Sequence, residues 1–366
     1  MTTAGRLADL LPDFPWDVLA PFADQARRHP GGAVDLSVGT PVDSTPALVQ
    51  DALRDAADAP GYPTTAGRPE VRAACSSWLS RRLGVDVDPA AIQPATGTKE
   101  LVSSLPRQLG LAPGTRVVIP RIAYPTYAVG SLLAGHEFVA TDEPESVDDV
   151  SMVWLNSPGN PTGRVLSAPR MAQIVAWARA NGVVVVSDEC YIELGWDVAP
   201  VSVLHPSVCG DSHENVMAVH SLSKRSNMAG YRFGFVVGDR RRIADLLAVR
   251  KHIGMMVPSP IQAAAIVALD DDDHVEQQRE VYRARRDVLR TALANAGFRV
   301  DHSEAGLYLW ATREELCWDT VRWCAERGVI VTPGDFYGPA GAQHIRIALT
   351  GSDADIATAA ARLVTE

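Results

Sequence analysis

The segment Ser221-Leu-Ser-Lys224-Arg-Ser-Asn-Met-Ala-Gly230-Tyr-Arg232 places one lysine among hydroxyl side chains, eight residues before an arginine. A lysine amine can form a Schiff base with an aldehyde. Ser221, Ser223 and Arg232 can surround a phosphate dianion, the arginine through a planar and permanently charged fork. The segment therefore indicates a site for an aldehyde cofactor that carries a phosphate. An ordinary turn, with serines that cap a helix and a solvated lysine, is the alternative.

Two apolar stretches end in polar residues that suit the same cofactor. The β-branched run at residues 183–186 predicts a strand of a buried parallel sheet. It delivers Asp188 and Tyr191 to the carboxyl edge of the sheet, where open α/β sheets bind ligands. Asp188 can pair with a protonated pyridine nitrogen, and Tyr191 can donate to a phenolic oxygen. A second predicted strand, residues 152–156, leads to Asn160, another donor for that oxygen. Taken singly, a helix-capping aspartate and a turn asparagine are equally plausible.

The turn Ala95-Thr-Gly97-Thr98-Lys99-Glu precedes a helical pattern at residues 101–109. A turn of small residues at a helix start presents free backbone N–H groups and the positive end of the helix dipole, which suits a phosphate. Many Gly-Thr pairs before helices are plain caps, so this signal is weak by itself.

The order Gly-Thr-Lys, Asn-Pro-Thr-Gly, Asp-x-x-Tyr, Ser-x-Ser-Lys and a later Arg resembles the class I/II aminotransferases, pyridoxal-phosphate-dependent enzymes of fold type I. The resemblance covers essentially the whole chain. It implies that Lys224 holds pyridoxal 5'-phosphate covalently and then acts as general acid and base, with Asp188 and Tyr191 as the other catalytic residues. The residues it implies for cofactor binding are Lys224, Gly97, Thr98, Lys99, Tyr124, Asn160, Asp188, Tyr191, Ser221, Ser223, Arg232 and Tyr62.

The same resemblance implies the substrate contacts and the oligomeric state. Arg346 matches the arginine that clamps a substrate α-carboxylate, and Gly39 matches a backbone contact beside it. The expected substrate-binding residues are Gly39, Asn160, Arg346 and Lys99. Tyr62 matches a tyrosine that reaches the phosphate of the partner subunit, which implies a homodimer with shared active sites. For Tyr62, Tyr124 and Gly39, core packing or turn geometry is the alternative, and for Arg346 a surface ion pair.

A closer resemblance concerns the substrate. Pro12-Asp-Phe-Pro-Trp16 and Asp35-Leu-Ser-Val-Gly-Thr-Pro-Val-Asp43 are similar to succinyldiaminopimelate transaminases of actinobacteria. This implies amino transfer between glutamate and N-succinyl-2-amino-6-oxopimelate in lysine biosynthesis. The extra carboxylates need further cations, for which Lys99, Arg121 and Arg225 are candidates. An aminotransferase for another amino acid and a pyridoxal-phosphate-dependent C–S β-lyase remain alternatives, because fold type I sites support several reactions.

Composition and charge exclude other classes of protein. The 366 residues are 46% hydrophobic and 21% charged, as in a globular enzyme, and the net charge of -10 argues against nucleic acid as a partner. The five cysteines form no CxxC pair, and the chain shows neither a signal peptide nor a long apolar stretch, so we expect a cytoplasmic protein without a membrane partner. A transcription regulator of this fold would need a helix-turn-helix module, for which too little chain precedes residues 36–41. No metal site is expected, and the acidic run at residues 270–273 is interpreted as a helix junction.

The pattern of elements predicts an α/β fold with two domains. Residues 46–255 alternate helical patterns with short strands and predict a large cofactor-binding domain with a mostly parallel sheet. Residues 1–45 and 256–366 are assigned to a smaller α+β domain. The predicted strands are residues 116–120, 152–156, 183–188, 216–220, 232–237, 298–300, 306–311 and 345–348.

Overall fold

The computed structural model describes residues 9, 11, 12 and 14–365. Positions 1–8, 10 and 13 of the expected small domain, and position 366, lie outside the described residues. The strands are Val34–Asp35 (β1), Ile92–Ala95 (β2), Arg116–Ile119 (β3), Glu137–Ala140 (β4), Val150–Asn156 (β5), Val184–Asp188 (β6), Val216–Ser221 (β7), Gly234–Gly238 (β8), Arg299–Asp301 (β9), Tyr308–Thr312 (β10), Val329–Ile330 (β11), Thr332–Pro333 (β12) and Ile345–Ala348 (β13).

The α-helices surround these strands and alternate with them through the first two thirds of the chain. They are Pro15–Arg27 (α1), Ala47–Asp55 (α2), Pro69–Leu83 (α3), Thr98–Gln108 (α4), Thr126–Leu133 (α5), Ala168–Ala180 (α6), Pro206–Cys209 (α7), Leu222–Arg225 (α8), Arg240–Ile253 (α9), Ser259–Asp270 (α10), Asp273–Asn295 (α11), Cys317–Glu326 (α12) and Asp353–Leu363 (α13). In this described part, no helix combines the length and the apolar character that spanning a bilayer requires.

A seven-stranded sheet with the order β2-β8-β7-β6-β5-β3-β4 forms the centre of the larger unit. Strand β8 runs antiparallel to β2 and β7, and the remaining neighbours are parallel, which confirms the prediction of a mostly parallel sheet. Successive valines of β6 pack on opposite faces: Val185 faces Trp78 and Met171, whereas Val186 faces the side with Leu101. Helices cover both faces, so these strands are apolar throughout.

The sequence missed two strands of this sheet for different reasons. Strand β2 contains a glutamine and a proline, which weaken a strand pattern. Strand β4 lies at the sheet edge and is mostly exposed, so it shows no continuous apolar run. The predicted strand at residues 232–237 begins later than expected, because Arg232 adopts a left-handed conformation with φ 60° before β8.

The smaller unit is built on a four-stranded antiparallel sheet with the order β12-β13-β10-β9. Strand β1 pairs in parallel with β11, which joins the N-terminal segment to this unit. Leu36, Leu309 and Ile347 are buried in one core with the inner face of α13.

The boundary between the two units lies close to a pair of helices. Helix α10 packs on α2 and α3, and its Ala264, Ala265 and Leu269 belong to the core beneath the large sheet. Helix α11 begins at Asp273 and packs on α13 of the smaller unit. The helix junction predicted at residues 270–273 is confirmed. The expected boundary at residue 255 stays a proposal, and the packing of α10 favours a position near this junction.

Candidate active site

A cavity of about 490 Å³ lies at the carboxyl edge of the large sheet, between the two units. Strands β6 and β7 end there with Asp188 and Ser221, α4 begins there with Thr98, and β13 contributes Arg346 from the small unit. Twelve of the fourteen expected site residues line this cavity: Gly39, Thr98, Lys99, Tyr124, Asn160, Asp188, Tyr191, Ser221, Ser223, Lys224, Arg232 and Arg346. Segments distant in sequence therefore meet as expected.

The Lys224 amine points to the small unit, where it donates to the carbonyl oxygen of Gly39. Burial lowers the pKa of Lys224, and the cations Arg346 and Arg232 lower it further, against the opposing effect of Tyr308 and Cys190. A lysine with a lowered pKa carries a free electron pair more often at neutral pH, which makes it a better nucleophile for an aldehyde.

Asp188 is buried and accepts two hydrogen bonds. The hydroxyl of Tyr127 donates to Asp188 Oδ2 at 2.8 Å, and the backbone N–H of Cys190 donates to Oδ1 at 3.2 Å. Burial raises the pKa of Asp188, while the contacts from Cys190 and Tyr127 oppose that rise. A cation beside the carboxylate, such as a pyridinium N–H, would lower the pKa further.

The phosphate-binding candidates converge from three directions. Ser221 ends β7 and its Oγ accepts from the backbone N–H of Ser223 at 3.1 Å, which opens the short helix α8. Thr98 is the first residue of α4, so the positive end of that helix faces the cavity. Arg232 Nη1 donates to Ala229 O at 2.8 Å, which fixes one edge of the guanidinium.

Gly97 does not line the cavity, but it determines where Arg232 lies. Its φ is +87°, and a Cβ added there would come within 2.4 Å of Arg232 Nη2. Glycine is required at this position both for the backbone conformation and for the close approach of the guanidinium.

Arg346 is buried and connects the two units. Its Nη1 donates to Asn160 Oδ1 at 3.0 Å, and its Nη2 donates to the carbonyl oxygen of Ser37. The surface ion pair considered for Arg346 is therefore wrong. Asn160 Oδ1 already accepts a hydrogen bond from Arg346. The amide nitrogen of Asn160 is therefore the group that can donate to the phenolic oxygen of a pyridine cofactor.

The remaining expected residues differ in their placement. Tyr62 is 96% exposed and lies outside the cavity. Lys99 is exposed at the cavity, with its amine 5.9 Å from the Phe14 ring centroid. Arg121 lines a neighbouring cleft instead. Arg225 is a wrong candidate for substrate binding, because it is buried against Glu193 and also donates to Ala268 O at 2.9 Å.

Among the cavity residues that the sequence did not identify, Tyr127, Tyr308 and Cys190 bear most directly on the chemistry. Tyr127 is in the first turn of α5, three residues after Tyr124 in the preceding loop, and the two ring centroids lie 5.8 Å apart. Tyr308 is the first residue of β10, a strand buried throughout, and Cys190 directly precedes Tyr191. All three line the cavity.

These side chains fit a phosphorylated pyridine aldehyde. A lysine amine, a buried carboxylate and a cluster of Arg232, Ser221, Ser223 and Thr98 share one cavity. The missing Cβ of Gly97 gives the guanidinium its space. Arg, hydroxyl and helix N-terminal donors are those that a phosphate dianion prefers.

Comparisons with known proteins agree with this geometry. The family described as Aminotransferase class I and II matches residues 32–363. The chain is 58% identical over 355 residues to the 4-dedimethylamino-4-oxo-anhydrotetracycline transaminase OxyQ of Streptomyces rimosus, covering 96% of this chain and 99% of that one. It is 33% identical over 364 residues to an LL-diaminopimelate aminotransferase of Dehalococcoides mccartyi, covering 93% and 92%. An aminotransferase structure from Neisseria meningitidis superposes with a TM-score of 0.90 at 29% identity, covering 99% of each chain.

Proposed function

The chain belongs to the class I and II aminotransferases, and from that premise we propose that it moves an amino group between glutamate and N-succinyl-2-amino-6-oxopimelate. As a member of the family it uses pyridoxal 5'-phosphate and acts on amino and oxo acids. When bound, this cofactor supplies an aldehyde and an electron-withdrawing ring.

Lys224 is the proposed covalent attachment point and proton carrier. Its lowered pKa favours the free amine, which would take a proton from the substrate α-carbon and donate it to the carbon that carried the aldehyde of the cofactor. Asp188 is proposed to hold the proton on the pyridine nitrogen, with Tyr127 keeping the carboxylate oriented. Tyr191 and the amide nitrogen of Asn160 are proposed donors to the ring oxygen.

The observation that carries the substrate proposal is a pair of cations in the cavity. Arg346 is buried and suits an α-carboxylate, which it can bind through two parallel hydrogen bonds. Lys99 is exposed at the same cavity and suits a distal carboxylate, such as that of a succinyl group. The relative that acts on LL-diaminopimelate supports an acceptor of this kind.

A second candidate acceptor is a bulky ring ketone. The OxyQ relative, named for such a substrate, is 58% identical over nearly its whole length. In this chain Trp16 and Tyr124 line the cavity, and Phe14 lies 5.6 Å from Trp16 between ring centroids. Aromatic side chains at a cavity mouth can stack on a flat ring system.

A half-reaction tests the proposal. Cofactor-loaded protein is mixed with glutamate or with N-succinyl-LL-diaminopimelate, while the cofactor absorption band and the released oxo acid are measured. We expect a band shift and stoichiometric oxo acid with both. A response to glutamate alone would discard the succinylated substrate, and ring ketones would be tested next as acceptors. Release of a thiol and pyruvate from a C–S substrate would indicate the β-lyase.

The role of Lys99 needs a matched control. Replacing Lys99 with Ala should raise KM for the succinylated substrate about tenfold, because one charge-assisted hydrogen bond is lost. Replacing Lys251, an exposed lysine at the end of α9, should leave KM unchanged. An equal KM for the Lys99 variant and the wild type would remove this residue from the substrate site.

We also propose a homodimer with shared sites, since Tyr62 is almost fully exposed and does not line the cavity of its own chain. The Lys224→Ala and Tyr62→Ala variants, each inactive or impaired alone, would be mixed and allowed to exchange subunits. One intact site per mixed dimer should restore activity. No recovery despite proven exchange would contradict the proposal.

A further inference from the structure

Tyr308 lies where three parts of the active site meet. It is 4% exposed on β10, and its hydroxyl is 3.2 Å from that of Tyr191. The Arg346 guanidinium carbon lies 4.1 Å from the centroid of its ring. Its hydroxyl also packs against Gly39, where an added Cβ would come within 2.1 Å of it. Gly39 in turn accepts the hydrogen bond of the Lys224 amine.

We propose that Tyr308 is a positioning residue with two separable functions. Its hydroxyl donates to Tyr191 and so directs the Tyr191 proton to the ring oxygen of the cofactor, and its ring holds the Arg346 guanidinium in place for the substrate carboxylate. The inference rests on the proposed roles of Tyr191 and Arg346, and it holds for any carboxylate-bearing acceptor.

The direction of the hydroxyl–hydroxyl bond follows from the surrounding charges. Burial raises the pKa of Tyr191 well above its usual range, and Tyr308 adds to that rise. Burial acts to raise the pKa of Tyr308, but the cations Arg346 and Lys224, together with the hydrogen bond to Tyr191, lower it. Either hydroxyl could donate in this bond, but the Arg346 guanidinium carbon lies 4.1 Å from the Tyr308 ring centroid, and this cation favours Tyr308 as the donor to the Tyr191 oxygen. The Tyr191 proton is then available for the cofactor.

Titratable side chains from several helices, strands and loops face Tyr308. Besides Tyr191, they are Cys190 from the same loop, Lys224 from α8, Arg346 from β13, Tyr337 from the turn after β12, Tyr282 from α11 and Tyr124 from the loop before α5. The two cations in this set are the ones that favour donation from Tyr308.

The ring of Tyr308 acts on Arg346 by a different route. Arg346 is 3% exposed, and its Nε has no hydrogen-bond partner within the described part of the chain. The rings of Tyr308 and Tyr337 lie on it at 4.1 and 5.2 Å. A cation over an aromatic face is stabilised by the ring electrons, most strongly where water is excluded. The ring therefore fixes the plane in which the guanidinium meets a carboxylate.

Two substitutions separate these functions. Tyr308→Phe removes the hydroxyl and keeps the ring, whereas Tyr308→Leu removes both. Tyr191→Phe tests the role on which the inference rests. Tyr282→Phe is the matched control, because Tyr282 is a buried tyrosine outside the cavity whose hydroxyl donates to Asn227 at 3.3 Å. The readouts are the pH midpoint of the absorbance change of the bound cofactor and KM for 2-oxoglutarate.

A donor to the phenolic oxygen of the cofactor withdraws electron density from that oxygen. Losing the donor should therefore raise the pH midpoint of the cofactor absorbance change. We expect a rise of about half to one pH unit in Tyr308→Phe, a larger rise in Tyr191→Phe and none in Tyr282→Phe. KM should stay within about twofold in Tyr308→Phe and rise about 3- to 30-fold in Tyr308→Leu.

Three other outcomes would each refute a specific part of the inference about Tyr308. A shifted midpoint in Tyr191→Phe with none in Tyr308→Phe refutes the hydroxyl role while the role of Tyr191 stands. An unshifted Tyr191→Phe refutes the role of Tyr191 and the inference with it. Equal KM values in Tyr308→Phe and Tyr308→Leu refute the role of the ring.

Discussion

The hydroxyl of Tyr127 donates a 2.8 Å hydrogen bond to Oδ2 of Asp188, across 61 residues of sequence. Both side chains are buried, and Tyr127 also stacks on Trp154 with 5.0 Å between ring centroids. The stacking holds the phenol in one orientation, so the carboxylate is oriented before any ligand binds. A charged acceptor that is oriented in advance binds its partner at a lower entropic cost.

Replacing Tyr127 with Phe should raise the cofactor dissociation constant about tenfold. The substitution removes a hydrogen bond to a charged group and leaves the packing on Trp154. Equilibrium dialysis with absorbance detection measures the change. In an Asp188→Asn background the same substitution should have a smaller effect, since the two residues act together. Additive effects of the two substitutions would show that this contact does not serve the cofactor.

Replacing Lys224 with Ala should abolish the covalent adduct trapped by borohydride reduction. The chain has three lysines, Lys99, Lys224 and Lys251, so mass spectrometry can assign the attachment site without ambiguity. The Lys99→Ala and Lys251→Ala variants should each retain one adduct per chain. An adduct that persists in Lys224→Ala would refute the assignment.

Replacing Arg346 with Ala should raise KM for glutamate and 2-oxoglutarate at least about a hundredfold, because a charge-assisted, two-point contact is lost. Replacing it with Lys should recover only part of the affinity, since an ammonium group cannot make the paired hydrogen bonds. Steady-state kinetics on both variants measure this. A normal KM in Arg346→Ala would place the carboxylate elsewhere.

Replacing Gly97 with Ala should weaken cofactor binding, since a Cβ there meets Arg232 at 2.4 Å. Gly110 provides the control, because it also has a positive φ, +60°, but nothing lies within 4 Å of an added Cβ. Backbone strain should cost Gly110→Ala about 1 kcal/mol of stability, and Gly97→Ala about 1–3 kcal/mol, because φ 87° with ψ 157° is a region nearly confined to glycine. Only Gly97→Ala should show a raised cofactor dissociation constant, and equal constants would disprove the effect.

Glu189 predicts a pH-dependent contribution to stability. Burial raises the pKa of Glu189 to about 7, above its usual value of 4.5. The folded state therefore binds more protons than the unfolded state between these values, and this group lowers stability as the pH rises from about 4.5 to 7. Glu189→Gln cannot ionise, and its Oε1 can still accept from the Val203 N–H, at 2.7 Å in the wild type.

The unfolding free energy of Glu189→Gln minus that of the wild type should be larger at pH 8 than at pH 5 by on the order of 2 kcal/mol. Urea unfolding at the two pH values measures this difference, in which other titrating groups cancel. A difference that is constant with pH would mean that Glu189 ionises normally in the folded protein.

Most of the motifs and strands that could be predicted are formed by contiguous segments of the chain. The glycine-threonine turn, the strand ending at Asp188 and the Ser-x-Ser-Lys segment are contiguous, so spacing alone shows which groups they present. Strand β6 could be predicted because burial on both faces requires an unbroken apolar run. Edge strand β4 could not, since one exposed strand needs no such pattern.

The contacts that complete the site depend on chain segments far apart in sequence. Tyr308 meets Tyr191 across 117 residues, and Arg346 meets Asn160 across 186. No local pattern encodes such a distance, because it results from packing two units against each other. Arg225 shows the converse: its position beside Lys224 suggested a substrate contact, yet burial against Glu193 makes it part of the structural support.

From the amino-acid sequence alone follow the mostly parallel sheet, the order of the motifs and the residue types that a phosphate, a pyridine nitrogen and an aldehyde require. These properties are local, because a turn, a strand period or a lysine among hydroxyls is set by neighbouring residues. The orientation of Asp188 by Tyr127, the contact of Tyr308 with Tyr191 and the burial of Arg346 follow from tertiary packing. Charge and hydrogen-bond geometry depend on which side chains are brought within a few ångströms, and only the folded chain determines that.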